Sequence, residues 1–458
     1  MFIYKIYGSI HKFGKILLKR NSKILSNYKF INFSINDFDN GKRIIENKAN
    51  YLINDISVKK YIYQKDVYPY ENLVDKSFNW SNNTTLSNQK IYFAKELSIA
   101  VNAWKKFIEN SKIIDGFRNN GLHYAGYILD IREWCLPSWI WTNAALVRYY
   151  CLHNKIDDAI ELGDLLLKLQ DVSGGWIVRN DYSDNGVIPQ LAPNDSCYIA
   201  LNCCLSLYEK TENKKYLASA IKCANWCIST ADDSGIVYLS YNTMSKSWIK
   251  NSNIVDIGFT AGLFAKLYEI TNDKKYYDFL KKFINAYIKL FYIEDKKCFC
   301  TSVVNNKQYG GCFARGQAWA LEGLIPAYVV LKDSRVKEII NNTIDTLLKT
   351  QNKSGGWPYN LSRPLMGEDC KGIPVIAKNI LVWNKIERKE TYELSAKRAI
   401  KWCIKHTKIN DENDGSFGGI YSYDVEGAIV RNLYSSTAFV YSNAYALETL
   451  ILLDGDLK

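Results

Sequence analysis

The chain has 458 residues, enough for one large domain or a few ordinary ones, and 47% of them are hydrophobic. Its net charge of +12 comes largely from scattered lysines and not from a stripe of basic and aromatic residues, so the composition does not indicate a nucleic-acid-binding protein. The aromatic fraction of 14% is high, and aromatic rings both fill large cores and form platforms on which sugar rings stack.

Residues 1–90 form a basic N-terminal extension without a clear long period. Its start, MFIYKIYGSIHKFGKILLKR, is interrupted by lysines and lacks the apolar core of a secretory signal, so we expect a cytoplasmic protein. No run approaches the roughly 20 apolar residues of a membrane span. The mixture of basic and aromatic residues would allow only a weak contact of this extension with a membrane surface.

From residue 91 onward, a helix, a short polar turn, a second helix and a Gly-rich loop recur five times. The first pair reads SWIWTNAALVRYYCL, HNKIDD and AIELGDLLLKLQ, and later turns read TENKK, TNDKK and IERKE. Apolar residues fall at i, i+3, i+4 and i+7, which is typical of amphipathic helices. The loops QDVSGGW and QNKSGGW carry Trp176 and Trp357, which we expect to pack each loop onto its helices. A period of about 60 residues indicates an array of helical hairpins.

One helix without a partner remains at each end of the array, KIYFAKELSIAVNAWKKFIEN before the first pair and STAFVYSNAYALETLILL after the last. They can pair only if the ends of the array meet, which gives six hairpins in a ring. The sequence therefore predicts an all-α fold, an (α/α)6 toroid over residues 91–458. The helices that follow the Gly-rich loops would be the inner ones, and their starts would gather at one mouth.

The predicted mouth collects residues that suit carbohydrate chemistry. Asp195, Asp256 and Arg315 are 61 and 59 residues apart, one repeat each, so we expect them at equivalent positions on neighbouring inner helices. Two carboxylates at a concave surface can act as general acid and base on a glycosidic bond. Trp319 lies one helical turn after Arg315, so the guanidinium would hold an anionic group while the indole stacks on a sugar. Three further substrate-binding candidates are Gln317, Trp139 and Tyr441.

Each of these charged residues has a structural alternative. Both aspartates begin helices, where Asp commonly caps the helix by accepting backbone N–H bonds. The alternative for Arg315 is a buried arginine that ties loop carbonyls together. Glu368 and Asp369, in the loop before the fifth inner helix, are a reserve pair of carboxylates for the mouth.

The sequence predicts neither a metal nor a cofactor. The four histidines do not cluster, and cysteine spacings such as Cys203 with Cys204 and Cys298 with Cys300 match no zinc pattern. Most cysteines fall in apolar helical runs, so we expect reduced, buried thiols. No GxGxxG motif, P-loop or nucleophile elbow is present.

The motif RGQAW at residues 315–319, together with the hairpin register of Asp195 and Asp256, resembles the six-hairpin glycosidases. The resemblance is to the unsaturated glucuronyl and rhamnogalacturonyl hydrolases of glycoside hydrolase families 88 and 105. It implies an oligosaccharide substrate that ends in a 4,5-unsaturated uronic acid. It also implies that Asp256 protonates C4 and activates the water that attacks C5, that Asp195 is a second essential carboxylate, and that Arg315 lies near the substrate carboxylate. Those families usually carry a histidine between the second aspartate and the arginine motif, and none lies between residues 256 and 315 here.

We therefore expect a carbohydrate-active, glycoside-hydrolase-like enzyme that acts on a uronic-acid-containing oligosaccharide or polysaccharide. The alternative is a non-catalytic glycan-binding or assembly protein of polysaccharide biosynthesis, since barrel proteins of that process resemble the same pattern. A third interpretation is a lyase or epimerase acting on uronic acids, with Tyr309 or Tyr441 as the base beside the arginine. The sequence leaves the sugar and the oligomeric state open.

Overall fold

The computed structural model describes residues 86–114, 120–129, 132–135, 139–177, 190–243, 245–362, 367–409, 411–422 and 437–454. The predicted N-terminal extension lies outside these residues, apart from the start of the first helix. In chain order the helices are α1 (Leu86–Asn110), α2 (Trp141–Leu152), α3 (Ile156–Lys168), α4 (Pro193–Ile199), α5 (Ser206–Thr211), α6 (Lys214–Thr230), α7 (Phe259–Thr271), α8 (Lys274–Phe291), α9 (Ala314–Leu331), α10 (Ser334–Thr350), α11 (Ile373–Asn384), α12 (Glu390–Lys405) and α13 (Val440–Asp454). A π-helical segment, Ala200–Leu205, joins α4 to α5, and a 3-10 turn, Val255–Gly258, leads into α7.

Short antiparallel strands lie between the helices. They are β1 (Gly126–Ile128), β2 (Glu133–Cys135), β3 (Gln190–Leu191), β4 (Ser240–Asn242), β5 (Ser247–Ile249), β6 (Ser252–Ile254), β7 (Tyr292–Ile293), β8 (Cys298–Phe299), β9 (Ser302–Val304), β10 (Lys307–Tyr309) and β11 (Thr437–Phe439). They pair in the orders β11-β1-β2, β3-β4-β5, β10-β9-β6 and β7-β8. Within the described segments, no helix is both long and apolar enough to cross a membrane.

The helices form a closed double ring. The inner ring runs α2, α4 with α5, α7, α9, α11 and α13, and each member packs against the next. α13 then packs against α2 and against the outer helix α1, so the first and last helices form the sixth hairpin. β1 and β11 pair across the same closure, with Gly126 opposite Phe439. The predicted (α/α)6 toroid is therefore confirmed.

The two Gly-Gly-Trp loops are built alike and hold outer helices together. Gln351 donates from Nε2 to the carbonyl oxygens of Gly355 at 2.8 Å and Ser395 at 3.0 Å, and its Oε1 accepts from Ser395 Oγ at 2.9 Å. The indole of Trp357 is fully buried and donates to Leu347 O at 2.7 Å. Gln170, Ser219 and Trp176 repeat this arrangement in the earlier loop. Both tryptophans thus pack the loops, as the sequence predicts.

The cysteines depart from the prediction at one place. Cys298 on β8 and Cys312 just before α9 are joined by a disulfide, so the expectation that all thiols are reduced is wrong for this pair. The two residues meet because β8 lies against the start of α9. The other ten cysteines form no disulfide and are buried, as expected for small apolar side chains.

We predict that Gln351→Ala lowers the free energy of unfolding by about 1–3 kcal/mol, because it leaves buried backbone and hydroxyl groups without partners. Denaturant titration measures the change. Lys353→Ala, at an exposed position in the same loop, is the matched control and should stay within about 0.5 kcal/mol of the parent chain. Equal stability of the two variants would contradict this role for Gln351.

Candidate active site

The inner helices all start at one end of the ring, which we call the mouth. The start of each inner helix contributes one residue, and these residues occupy roughly equivalent positions in successive repeats. These residues are Trp139, Asp195, Asp256, Arg315, Lys371 and Phe439.

Arg315, the second residue of α9, is buried and paired with an acid. Its Nη1 donates to Asp369 Oδ2 at 2.9 Å, and its Cζ lies 5.8 Å from the centre of the Tyr359 ring. A Cβ added at Gly372 would lie only 3.1 Å from Arg315 Cβ, so this glycine lets α11 begin directly against α9. Burial opposes the charge on Arg315, but the Asp369 carboxylate raises its pKa. The guanidinium is thus a buried cation held by a carboxylate of the loop before α11, where the structural alternative expected loop carbonyls.

Lys371 is the residue that the sequence analysis missed. It is only 1% exposed, and its Nζ lies 4.7 Å from the centre of the Phe439 ring and 5.9 Å from that of Trp139. Burial and the Arg315 charge lower the pKa of Lys371 well below its usual range, against the pull of Asp369 and Asp256. The mouth therefore contains an amine whose protonation responds to charges brought nearby.

Asp256 lies in the 3-10 turn before α7, within the electrostatic reach of both cations. Desolvation of its carboxyl raises its pKa, and Arg315 and Lys371 only partly offset this effect. Ile254 holds the N-cap position of the turn, with no side-chain cap hydrogen bond, so Asp256 is not a capping residue. Its environment favours a carboxylic acid that keeps its proton to a higher pH than an ordinary Asp.

Asp195 lies in the first turn of α4, and its segment packs against the turn that carries Asp256. Ala192, not Asp195, holds the N-cap position there. Its Oδ1 accepts a hydrogen bond from Asn194 Nδ2 at 2.9 Å, and the residue is half-buried. The structure thus brings the two aspartate-bearing segments together.

Aromatic side chains close the ring behind the mouth. Trp319 contacts Tyr441 at a ring-centre distance of 6.2 Å, Phe259 at 5.2 Å and Tyr198 at 6.3 Å. We call the aromatic layer the set of Trp141, Tyr198, Trp319, Tyr441 and Tyr445, which contact one another. Trp319 and Tyr441 are almost fully buried in it, so they form the floor of the mouth.

Trp139 lies nearer the opening, 6.2 Å from Phe439 and stacked on it. Because it is 8% exposed and borders Lys371, it is placed to contact a ligand from the side. Of the predicted aromatic residues, it has the most direct access to the mouth.

Gln317 and Glu368 are occupied elsewhere. The Gln317 amide accepts from Phe299 N at 2.7 Å and donates to Phe299 O and Phe313 O, which fastens β8 to α9. Glu368 accepts hydrogen bonds from Asn352 and Ser354 in the Gly-Gly-Trp loop and from Trp402 on α12. The structure does not bring these two side chains into the Arg315 cluster.

The tyrosines considered as bases are poorly suited to that role. Burial raises the pKa of Tyr441 well above its usual range, so its hydroxyl stays protonated. Tyr309 lies on β10 and is 50% exposed. Lys371 is the amine beside the arginine that a lyase or epimerase would require.

One thiol cluster could hold a metal ion by geometry. The sulfurs of Cys197, Cys223 and Cys227 all lie within 4.8 Å of one another, buried between α4 and α6. The cluster is the only such group among the described residues, and it does not include a residue of the mouth.

Residues 162–453 match the model of Glycosyl Hydrolase Family 88. Comparison with curated proteins gives no match. Among solved structures, an unsaturated glucuronyl hydrolase specific for heparin superposes with a TM-score of 0.61 at 16% identity, over 79% of this chain and 97% of that one.

An unsaturated glucuronyl hydrolase from Bacillus sp. GL1 superposes with a TM-score of 0.59 at 12% identity, over 78% of this chain and 96% of that one. A family 76 α-mannanase from Bacteroides thetaiotaomicron has a TM-score of 0.58 at 15% identity, over 79% and 96%. These structures share the six-hairpin fold with the chain. The match over most of its length shows that the chain belongs to glycosyl hydrolase family 88, which confirms the predicted resemblance and the prediction of a glycoside hydrolase.

Proposed function

We propose that the chain hydrolyses oligosaccharides that end in a 4,5-unsaturated uronic acid, with Asp256 as the acid/base. The observation that carries the proposal is the charge cluster at the mouth, in which Asp256 lies within electrostatic reach of the buried Arg315 and Lys371. Family membership and the two glucuronyl hydrolases among the similar structures support the same substrate class.

The raised pKa of Asp256 suits the first step. The protonated carboxyl gives its proton to C4 of the unsaturated sugar, and positive charge develops at C5. Water adds to C5 and returns a proton to the Asp256 carboxylate. The resulting hemiketal opens and releases the remaining oligosaccharide, so one water is consumed and the acid is regenerated. In this proposal the Asp195 carboxylate stabilises the charge at C5.

The two cations suit an acidic substrate. Arg315 is already neutralised by Asp369, whereas burial and Arg315 disfavour the charged form of Lys371. A substrate carboxylate beside Lys371 would favour its protonation, so the amine and the guanidinium would together hold the uronate. Trp139 provides an aromatic face beside this position. Gln317 then supports the start of α9 and does not bind substrate.

A non-catalytic glycan-binding role in polysaccharide biosynthesis remains the alternative. It uses the same mouth and the same cations, and differs only in that Asp256 transfers no proton. A location in the cytoplasm likewise stays a prediction.

We predict that Asp256→Asn lowers kcat/KM on an unsaturated glucuronyl disaccharide by about 100- to 10,000-fold, because the amide cannot donate and recover the proton. Loss of absorbance of the C4=C5 double bond measures turnover. Asp157→Asn, at an exposed position on α3, is the matched control and should retain activity. Binding without turnover by the unaltered chain would favour the non-catalytic alternative, and neither binding nor turnover would refute the substrate class.

The pH dependence follows from the direction of the Asp256 shift. The reaction requires the protonated acid, so kcat/KM should be full below the raised pKa and fall as the pH rises through it. In a pH–rate profile, the apparent pKa of this high-pH limb should lie above the usual pKa range of an Asp. A limb within the ordinary range would show that Asp256 is not the acid.

Lys371 should couple substrate binding to proton uptake, because a carboxylate raises the pKa of a neighbouring amine that burial has lowered. Calorimetric titration of the Asp256→Asn chain in two buffers of different ionisation enthalpy measures the uptake. We expect it for the disaccharide acid, not for its methyl ester, and expect Lys371→Met to abolish it.

Lys353→Met, at an exposed position, is the matched control and should leave the uptake unchanged. Unaltered uptake in Lys371→Met would contradict the assignment of this residue.

A further inference from the structure

The inner helices carry a second polar cluster on the far side of the aromatic layer. On α9, Arg315, Trp319 and Glu322 occupy positions i, i+4 and i+7, so they share one face, and Glu322 lies about 10 Å further along the axis than Arg315. On α13, Tyr441 and Tyr445 of the aromatic layer are followed by Glu448 in the same spacing. Charged residues therefore recur behind the aromatic layer, at the opposite end of the barrel from the mouth.

These charges form a connected network. Arg148 on α2 donates to Glu448 and, at 2.8 Å, to Asn202 Oδ1, and its Nη1 lies 3.8 Å from Glu322 Oε2. Lys378 on α11 donates to Glu322 Oε1 at 2.7 Å. The side chains of Glu322 and Lys378 are only 3% and 5% exposed. Burying such charges is costly, and apolar side chains of similar size would close the barrel at least as stably.

The network forms the floor of a cavity of about 310 Å³, within the size range of small-molecule sites. Its walls are apolar and come from Leu201 and Leu205 between α4 and α5, Leu321 and Ile325 on α9, and Val382 on α11. We call this space the rear cavity. Its lining includes none of Asp256, Arg315 and Lys371, so it is distinct from the mouth.

The charged side chains that line the rear cavity favour an anionic ligand. Four cations line the rear cavity, Arg148, Lys210, Lys266 and Lys378, against two carboxylates, Glu209 and Glu322. Glu448 pairs with Arg148 and Glu269 pairs with Lys266 from outside the lining, so the excess of two cations belongs to the lining itself, where Lys210 has no ion pair with a described residue. The floor also retains donors, since among the described residues Lys378 Nζ donates to Glu322 and, at 3.4 Å, to Asn379. A third N–H of this ammonium group is thus available to an incoming acceptor.

We propose that the rear cavity is a second ligand site, which binds a small organic anion of about monosaccharide size through a carboxylate or phosphate group. The floor cations hold the anionic group, the rim lysines Lys210 and Lys266 attract it, and the leucine walls contact its apolar edges. The ion pairs of the floor keep Arg148 and Lys378 in place before the ligand arrives, which lowers the entropic cost of binding.

The test is calorimetric titration of the full chain with glucose 6-phosphate, D-glucuronate and glucose. We expect one site per chain for at least one of the two anions and at least tenfold weaker binding of glucose. Binding of the phosphate alone would identify a phosphate ligand, and binding of glucuronate alone a carboxylate ligand.

Variants of the lining residues show whether the anion binds in the rear cavity. The double variant Lys210→Gln with Lys266→Gln should weaken binding about tenfold through the rim charge, and Leu201→Trp should abolish it by filling the space. Circular dichroism and thermal unfolding establish that each variant is folded. Lys371→Met, in the mouth, should leave this binding unchanged.

Failure of both anions to bind at millimolar concentration would overturn the proposal. So would binding that is lost in Lys371→Met and kept in the rear-cavity variants, because the anion would then occupy the mouth. Neither result bears on turnover of the disaccharide, so the proposal of a second ligand site can be wrong while the proposed function is correct.

Discussion

Six inner helices surround the axis of the ring, and only their own side chains are available to fill the space along that axis. Large aromatic rings fill it at mid-height, where Trp319 on α9 contacts rings from three other inner helices, α2, α4 and α13. The two charged clusters described above lie on either side of these rings. The division of the barrel into a mouth and a rear cavity follows from this packing requirement and from the common register of the helices.

Charge neutrality governs both ends. At the mouth, Arg315 is paired with Asp369, and Lys371 and Asp256 shift their pKa values in opposite directions because each is desolvated. At the rear, Arg148 and Lys378 are paired with glutamates, and on the partly exposed rim Lys266 is paired with Glu209 and Glu269. Buried charges with fixed partners provide preorganised positions for ligand groups, which a purely apolar barrel could not offer.

The period of about 60 residues and the two unpaired terminal helices suffice to predict the ring. The same period also places Asp256 and Arg315 at one end. The period would also place Lys371 there, since that residue follows Arg315 by about one repeat, but no motif in the sequence marks it. Gln317 was included for its motif alone, although two residues of helix turn it about 200° away from Arg315. The Cys298–Cys312 disulfide could not be predicted from the sequence, because the contact between β8 and α9 depends on tertiary packing.

The sixth hairpin joins helices from opposite ends of the chain, and this arrangement affects how the protein forms during synthesis. The inner partner of α1 is α13, which begins 330 residues after α1 ends (Asn110 to Val440), so α1 has no inner helix to pack against until α13 has been synthesised. Until that moment the indoles and phenols destined for the centre face water on one side. Slow, late closure and a need for protection of the nascent chain are the expected costs of such long-range contacts.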